Sequence, residues 1–106
     1  MSNEAYRKIL FTGGGGAATT ALYDLLRHQQ EVHFCDADPF ARHPAIPADR
    51  FHVIPKADDP NFIAHVTKIV EAYRINLLVP AVDEELLQLA DAHFGGCQVL
   101  LPDRTF

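Results

Sequence analysis

Apolar and polar positions along this 106-residue chain follow two repeats in turn, short runs of strand-forming residues and longer stretches with a helical period. Lys8-Ile9-Leu10-Phe11-Thr12 is an apolar run that stops at Gly13-Gly14-Gly15-Gly16, which predicts a buried strand entering a tight turn. From Ala17 to about Gln29, Ala18, Leu22, Leu25 and Leu26 recur at helical spacing, with Thr20, Asp24, Arg27 and His28 on the other side. Val32 to Asp36 predicts a second strand, punctuated by Asp36-Ala37-Asp38-Pro39. Residues 39–49 carry three prolines, each lacking an amide donor and restricting the residue before it, so a surface loop is expected there. Arg50 to Pro55 predicts a third strand. Asp59-Pro60 offers an N-cap followed by proline at the first helical position. Phe62, Ile63, Val66, Ile69, Val70 and Tyr73 then mark one face of a second helix. Leu77 to Pro80 predicts a fourth strand, Glu84 to about His93 a third helix, and Gln98 to Leu101 a fifth strand after Gly95-Gly96.

The order β-α-β-β-α-β-α-β, with strands apolar nearly throughout, calls for a largely parallel sheet covered by helices on both faces. Right-handed crossovers then favour the strand order 3-2-1-4-5, a Rossmann-like α/β domain. Ligands in such sheets meet the carboxyl ends of the strands where the winding reverses, here between the first and fourth strands. That brings Gly13 to Gly16 and the segment Pro80 to Glu85 to one crevice.

At 106 residues the chain predicts one domain, and 48% hydrophobic against 22% charged residues predicts a folded one. The longest apolar run, Leu77 to Val82, is far too short to span a bilayer, and residues 1–8 lack the apolar core of a signal peptide, so a cytoplasmic location is expected. A formal charge of -5 with scattered basic residues argues against nucleic acid as a partner. Cys35 and Cys97 have no paired spacing and read as buried, reduced thiols. The six histidines show no metal-ligand spacing, and no metal site is expected on this chain.

Candidate chemistry concentrates at the crevice. Thr12 to Ala18 contains G-x-G-x-x-A after a strand and before a helix, a setting in which bare amides and a helix start face one point. Those glycines either hold an anion or nucleotide or only let the chain turn and pack closely. Asp36 closes the second strand where dinucleotide folds place the acid that bonds a ribose, with Asp38 two residues on, so both are candidate cofactor-binding residues of an NAD(P)-binding or other nucleotide-binding module. The alternative is an Asx-type turn at Asp38-Pro39 with Asp36 solvated at the strand end. Asp83, Glu84 and Glu85 either orient an amine, a hydroxyl or hydrated Mg²⁺, or only complement the dipole of the third helix. No G-x-S-x-G is present and neither cysteine opens a helix, so no catalytic nucleophile is expected. His33 and His52 read as packed or edge residues, and Arg42 and His43 as part of a solvated loop. Phe40 and Ile46, if exposed, would favour a structural module that meets a partner through the proline-rich loop.

Four segments in order add a resemblance. Ile9 to Gly16, Asp36-Ala37-Asp38-Pro39, Ala48-Asp49-Arg50-Phe51 with Val53-Ile54-Pro55, and Leu77 to Leu86 together look like the N-terminal, pre-ATP-grasp domain of ATP-grasp ligases. The carbamoyl-phosphate-synthase large-subunit group is the nearest in flavour, and the match runs from Lys8 to Pro102. The resemblance implies one wall of the active site of an enzyme that activates a carboxylate as an acyl phosphate, which an amine then attacks. It implies that Gly13, Gly14, Gly15 and Gly16 line the substrate pocket with Asp83 and Glu84 close by. ATP and Mg²⁺ would sit mainly on domains that follow, so this chain is expected to be an inactive piece of a longer ligase. The partners implied are those following domains and a small carboxylate or amine, with a second copy of the chain as a further candidate. Neither a lysine pair nor a Glu/Asn metal-ligand set of the grasp is present.

Overall fold

The computed structural model describes residues 7–16, 18–90, 92 and 94–100, apart from the side chains of residues 83, 87 and 90. Five strands form one sheet, all neighbours parallel: β1 (Lys8–Thr12), β2 (Glu31–Asp36), β3 (Phe51–Val53), β4 (Leu77–Val79) and β5 (Gln98–Val99). Their order is β3-β2-β1-β4-β5, as the alternation of elements predicts. The central register pairs Leu10 with His33 on one side and with Leu78 on the other. Side chains of a strand point to alternate faces, and β1 and β2 divide accordingly. Leu10, Cys35 and Leu78 pack with Phe62, Val66 and Val70 of α2 (Phe62–Tyr73) and with Leu89 of α3 (Asp83–Ala90). On the opposite face Phe11, Val32 and Phe34 pack with Leu22, Tyr23 and Leu26 of α1 (Thr19–Leu26), the Phe11 and Phe34 rings stacking at 5.6 Å.

The helix ends differ from expectation for local reasons. The α1 helix stops at Leu26, short of Gln29, as the chain tightens into a turn in which the Gln29 N–H bonds the Leu26 carbonyl, and Glu31 already joins the sheet through the Arg7 carbonyl. Leu25, counted on its apolar face, is 74% exposed. Asp59 does not cap α2: its Oδ1 accepts the Asn61 N–H, making a separate turn, and Asn61 is the cap residue. The third helix runs from Asp83 to Ala90, and the expected end at His93 lies outside the described residues. The expected strand from Arg50 to Pro55 is trimmed to three residues, since Ala48–Arg50 form a 3₁₀ turn. The fifth strand is two residues, with Leu101 beyond the described chain.

The loop at 39–49 has no regular structure up to that 3₁₀ turn, yet Ile46 in it is fully buried beside Val32, Phe34 and Phe51. Of Phe40 and Ile46, Phe40 alone stands out, at 92% exposure. Both cysteines are free; Cys35 is fully buried, whereas Cys97 is half-buried rather than buried. No described helix is long and apolar enough to cross a membrane.

Candidate functional site

The ends of β1, β2, β3 and β4 open onto one cleft of about 420 Å³. It is lined by Gly13 after β1, by Asp36 and Ala37 at the end of β2, by Lys56 to Asp58 beyond β3, and by Val82, Glu84 and Glu85 at the start of α3. Of the residues singled out from sequence, the structure brings Gly13, Asp36, Glu84 and Glu85 to this cleft. Gly14, Gly15, Gly16 and Asp38 do not line it. Asp83 opens α3 beside it, with its side chain outside the described part.

The glycine turn is held mainly by the protein itself. The Gly14 N–H donates to the Cys35 carbonyl, the Gly16 N–H to the Gly13 carbonyl, and the Gly15 N–H to Asp36 Oδ2 at 2.9 Å. Three of the four amides are thus spent internally, which is the turn-forming role of the motif. A dinucleotide motif keeps its second glycine bare so that a pyrophosphate can approach the backbone. At Gly15 a Cβ would lie 2.7 Å from the Ala41 Cβ, so the space over that glycine is taken by the 39–49 loop. The other oxygen of Asp36 accepts the Asp38 N–H, and Asp38 Oδ1 accepts the Phe40 N–H, two successive Asx turns that steer the chain into the loop. Arg42 and His43 brace the same loop: the guanidinium donates to the Ile46 carbonyl, and His43 Nδ1 accepts the Ala45 N–H.

Glu85, one of the three helix-start acids read from sequence, lines the cleft, and so does Lys56, which sequence reasoning did not single out. Glu85 is 6% exposed, and its Oε1 has no hydrogen-bond partner among the described residues. The signal was present, since Glu85 and Leu89 stand four apart and share the buried face of α3. Burial pushes the Glu85 carboxyl above the ordinary carboxylate range, and the negative charges of Asp36 and Glu84 add to this. The Thr12 hydroxyl opposes it by hydrogen bonding to the carboxylate. That hydroxyl also accepts the Ala81 N–H at 2.7 Å, tying the end of β1 to the segment after β4. Lys56 follows Pro55 in the loop after β3, where no spacing rule marks it.

His33 and His52 lie away from the cleft. His33 is fully buried between Glu31 Oε2, 2.8 Å from its Nε2, and His52 Nε2, 2.9 Å from its Nδ1, with the Tyr73 ring against both. The pair is packed, as expected of it from sequence.

The residues present do not fit ATP with Mg²⁺. Among the described residues no group of three or more His, Cys, Asp or Glu side chains is placed to hold a metal ion, and the glycine amides that would cradle phosphate are bonded as above.

Comparison with curated proteins finds no match. Among solved structures, the Bordetella bronchiseptica enzyme WbmG in complex with NAD and UDP superposes with a TM-score of 0.56 at 17% identity, over 77% of this chain and 26% of that one. The Bordetella bronchiseptica enzyme WbmH in complex with NAD⁺ does so with a TM-score of 0.45 at 17% identity, over 73% and 26%. The chain thus spans about a quarter of the length of these structures, and at such identity the likeness to WbmG is one of fold. The family model described as PylC-like, N-terminal domain matches residues 9–99, nearly the whole of the described sheet and its helices. A Rossmann-like sheet in the order 3-2-1-4-5, carrying that sequence pattern from end to end, belongs to the PylC-like N-terminal domain family, the pre-ATP-grasp domains of ATP-grasp ligases.

Proposed function

We propose that this chain is the substrate-side wall of an ATP-dependent carboxylate–amine ligase of the carbamoyl-phosphate-synthase-like kind, and that it does no chemistry by itself. The observation that carries the reading is the position of the cleft in a chain of this family. The cleft opens at the carboxyl ends of the strands, between the turn after β1 and the segment after β4 that begins α3. In this reading Gly13 lines one side of the pocket with Gly14 to Gly16 forming the turn behind it, and Asp83 and Glu84 stand on the other. Activation of the carboxylate with ATP and Mg²⁺ belongs to the domains that follow. A cytoplasmic location goes with the reading, since ATP is supplied there.

What weighs for this reading over a nicotinamide-binding module is the glycine turn, three of whose four amides are committed within the protein and whose second glycine is covered by Ala41. Phosphate release from ATP provides the test. The full-length protein is expected to release phosphate only with Mg²⁺, a carboxylate and an amine all present, and the 106-residue chain alone to release none. Robust turnover by the chain alone overturns the reading, as does micromolar NAD binding that Asp36→Ala weakens.

A further inference from the structure

We propose that the cleft takes a primary ammonium group, with Glu85 Oε1 accepting its hydrogen bond. The inference rests on the ligase-domain reading for the place of the substrate and deepens it, by assigning this wall to the amine partner rather than the carboxylate.

Two independent observations meet at Glu85. The first is an open acceptor. The side chain is buried at 6% exposure, lines the cleft, and leaves Oε1 without a partner among the described residues, whereas buried polar atoms are nearly always bonded. The second is the balance of charge around it. Asp36, Asp58, Glu84 and Glu85 line the cleft against one cation, Lys56, which forms no ion pair among the described residues.

Those charges decide between ligand chemistries. A carboxylate entering the cleft meets four of its own sign. A neutral hydroxyl fills the acceptor and leaves the charge uncompensated. A quaternary ammonium brings the charge but has no N–H for Oε1. A primary ammonium supplies both, and its hydrogen bond to a buried carboxylate is of the charge-assisted kind. Asp36 contributes charge rather than a vacant oxygen, because its two oxygens already hold the Gly15 and Asp38 N–H groups. Glu85 is therefore the acceptor, and Glu84, exposed at the rim, adds to the field.

The test is a titration of the isotope-labelled 106-residue chain at pH 7, followed by backbone amide shifts, with methylammonium chloride as probe and tetramethylammonium chloride and sodium acetate as controls. Methylammonium is expected to shift the Gly13, Ala37 and Glu85 amides saturably, with millimolar affinity. Both controls are expected to bind there at least about fivefold more weakly, and Glu85→Gln to weaken methylammonium by about fivefold or more, the order of one lost charge-assisted bond. Lys56→Met, at an exposed position, removes the competing cation and is expected to tighten methylammonium binding, which keeps the test open should Glu85→Gln not fold. Absence of saturable shifts, equal binding by Glu85→Gln, acetate saturating the cleft, or unchanged binding by Lys56→Met overturns the inference. Phosphate release by the full-length protein reads the parent proposal separately. Amine-dependent turnover without methylammonium binding removes only the ammonium site, and binding without turnover removes only the ligase reading.

Discussion

A methyl group on Gly14 would sit 2.7 Å from the Phe34 Cβ and 3.2 Å from Phe51 Cε2, both in the buried cluster under α1. Neither neighbour is a flexible chain end, so Gly14→Ala is expected to destabilise the chain by about 1–3 kcal/mol in urea unfolding, as overpacking does. Gly96→Ala, where a Cβ meets nothing described within 4 Å, is expected to change stability by less than about 0.5 kcal/mol. The sequence announced the turn at these glycines but not what fills the space above it, because Phe34, Phe51 and Ala41 arrive from distant segments. The histidine pair gives a second prediction at this scale. Burial, then the neighbouring His33 and Arg50 charges, bring His52 down to about 4, and burial also lowers His33. Burial alone would raise the Glu31 carboxyl, but its bond to His33 and that ring's charge outweigh this and hold it below its usual value. The folded rings bind protons less readily than the unfolded ones. Their contribution is therefore complete above the ordinary histidine value of 6.5 and is lost as the pH falls toward about 4, with the loss from Glu31 following at lower pH. Thermal melts from pH 7 to 4 are expected to fall through that window, with the His52 ring proton titrating at about 4; a midpoint above 6 contradicts the packing described.

At the scale of elements, α2 ends on Arg74 in the left-handed conformation, φ 55°, with its N–H closing on the Val70 and Glu71 carbonyls. Glycine adopts that conformation without the strain a Cβ brings, and Arg74 is exposed. Arg74→Gly is expected to raise stability by about 0.5–1 kcal/mol, the gain being trimmed by the greater freedom of glycine in the unfolded chain. A lower urea midpoint in this variant would show that the arginine side chain does more than end the helix. The two main helices show what local pattern specifies. The body of the helix from Phe62 to Tyr73 is legible because Phe62, Val66 and Val70 all bury. The α1 pattern misleads at its end because Leu25 continues the spacing without meeting anything to pack against, and the demand of β2 for the Arg7 carbonyl ends the helix first. The α2 cap was misplaced because Asp59 serves a turn of its own before the helix begins.

For the whole molecule, strand order and the location of the cleft follow from the alternation of elements and the handedness of crossovers, both visible in the sequence. The identity of the cleft side chains is less visible. Asp36, read either as a ligand contact or as a solvated strand end, clamps two turns at the cleft, while Glu85, one of three helix-start acids in the sequence, has an open oxygen among the described residues. The sheet also carries its own clock. Cys35 sits on β2 between two paired strands, fully buried, and burial with the charges of Glu85 and Asp36 holds its thiol well above the ordinary range. Alkylation needs both access and a thiolate, and Cys35 gains either one only when the sheet comes apart. In a Cys97→Ser background, the rate at which a maleimide consumes the remaining thiol is expected to follow global unfolding and to rise in step with urea. The chain thus reports its own opening through one sulfur atom, with no added probe in the fold.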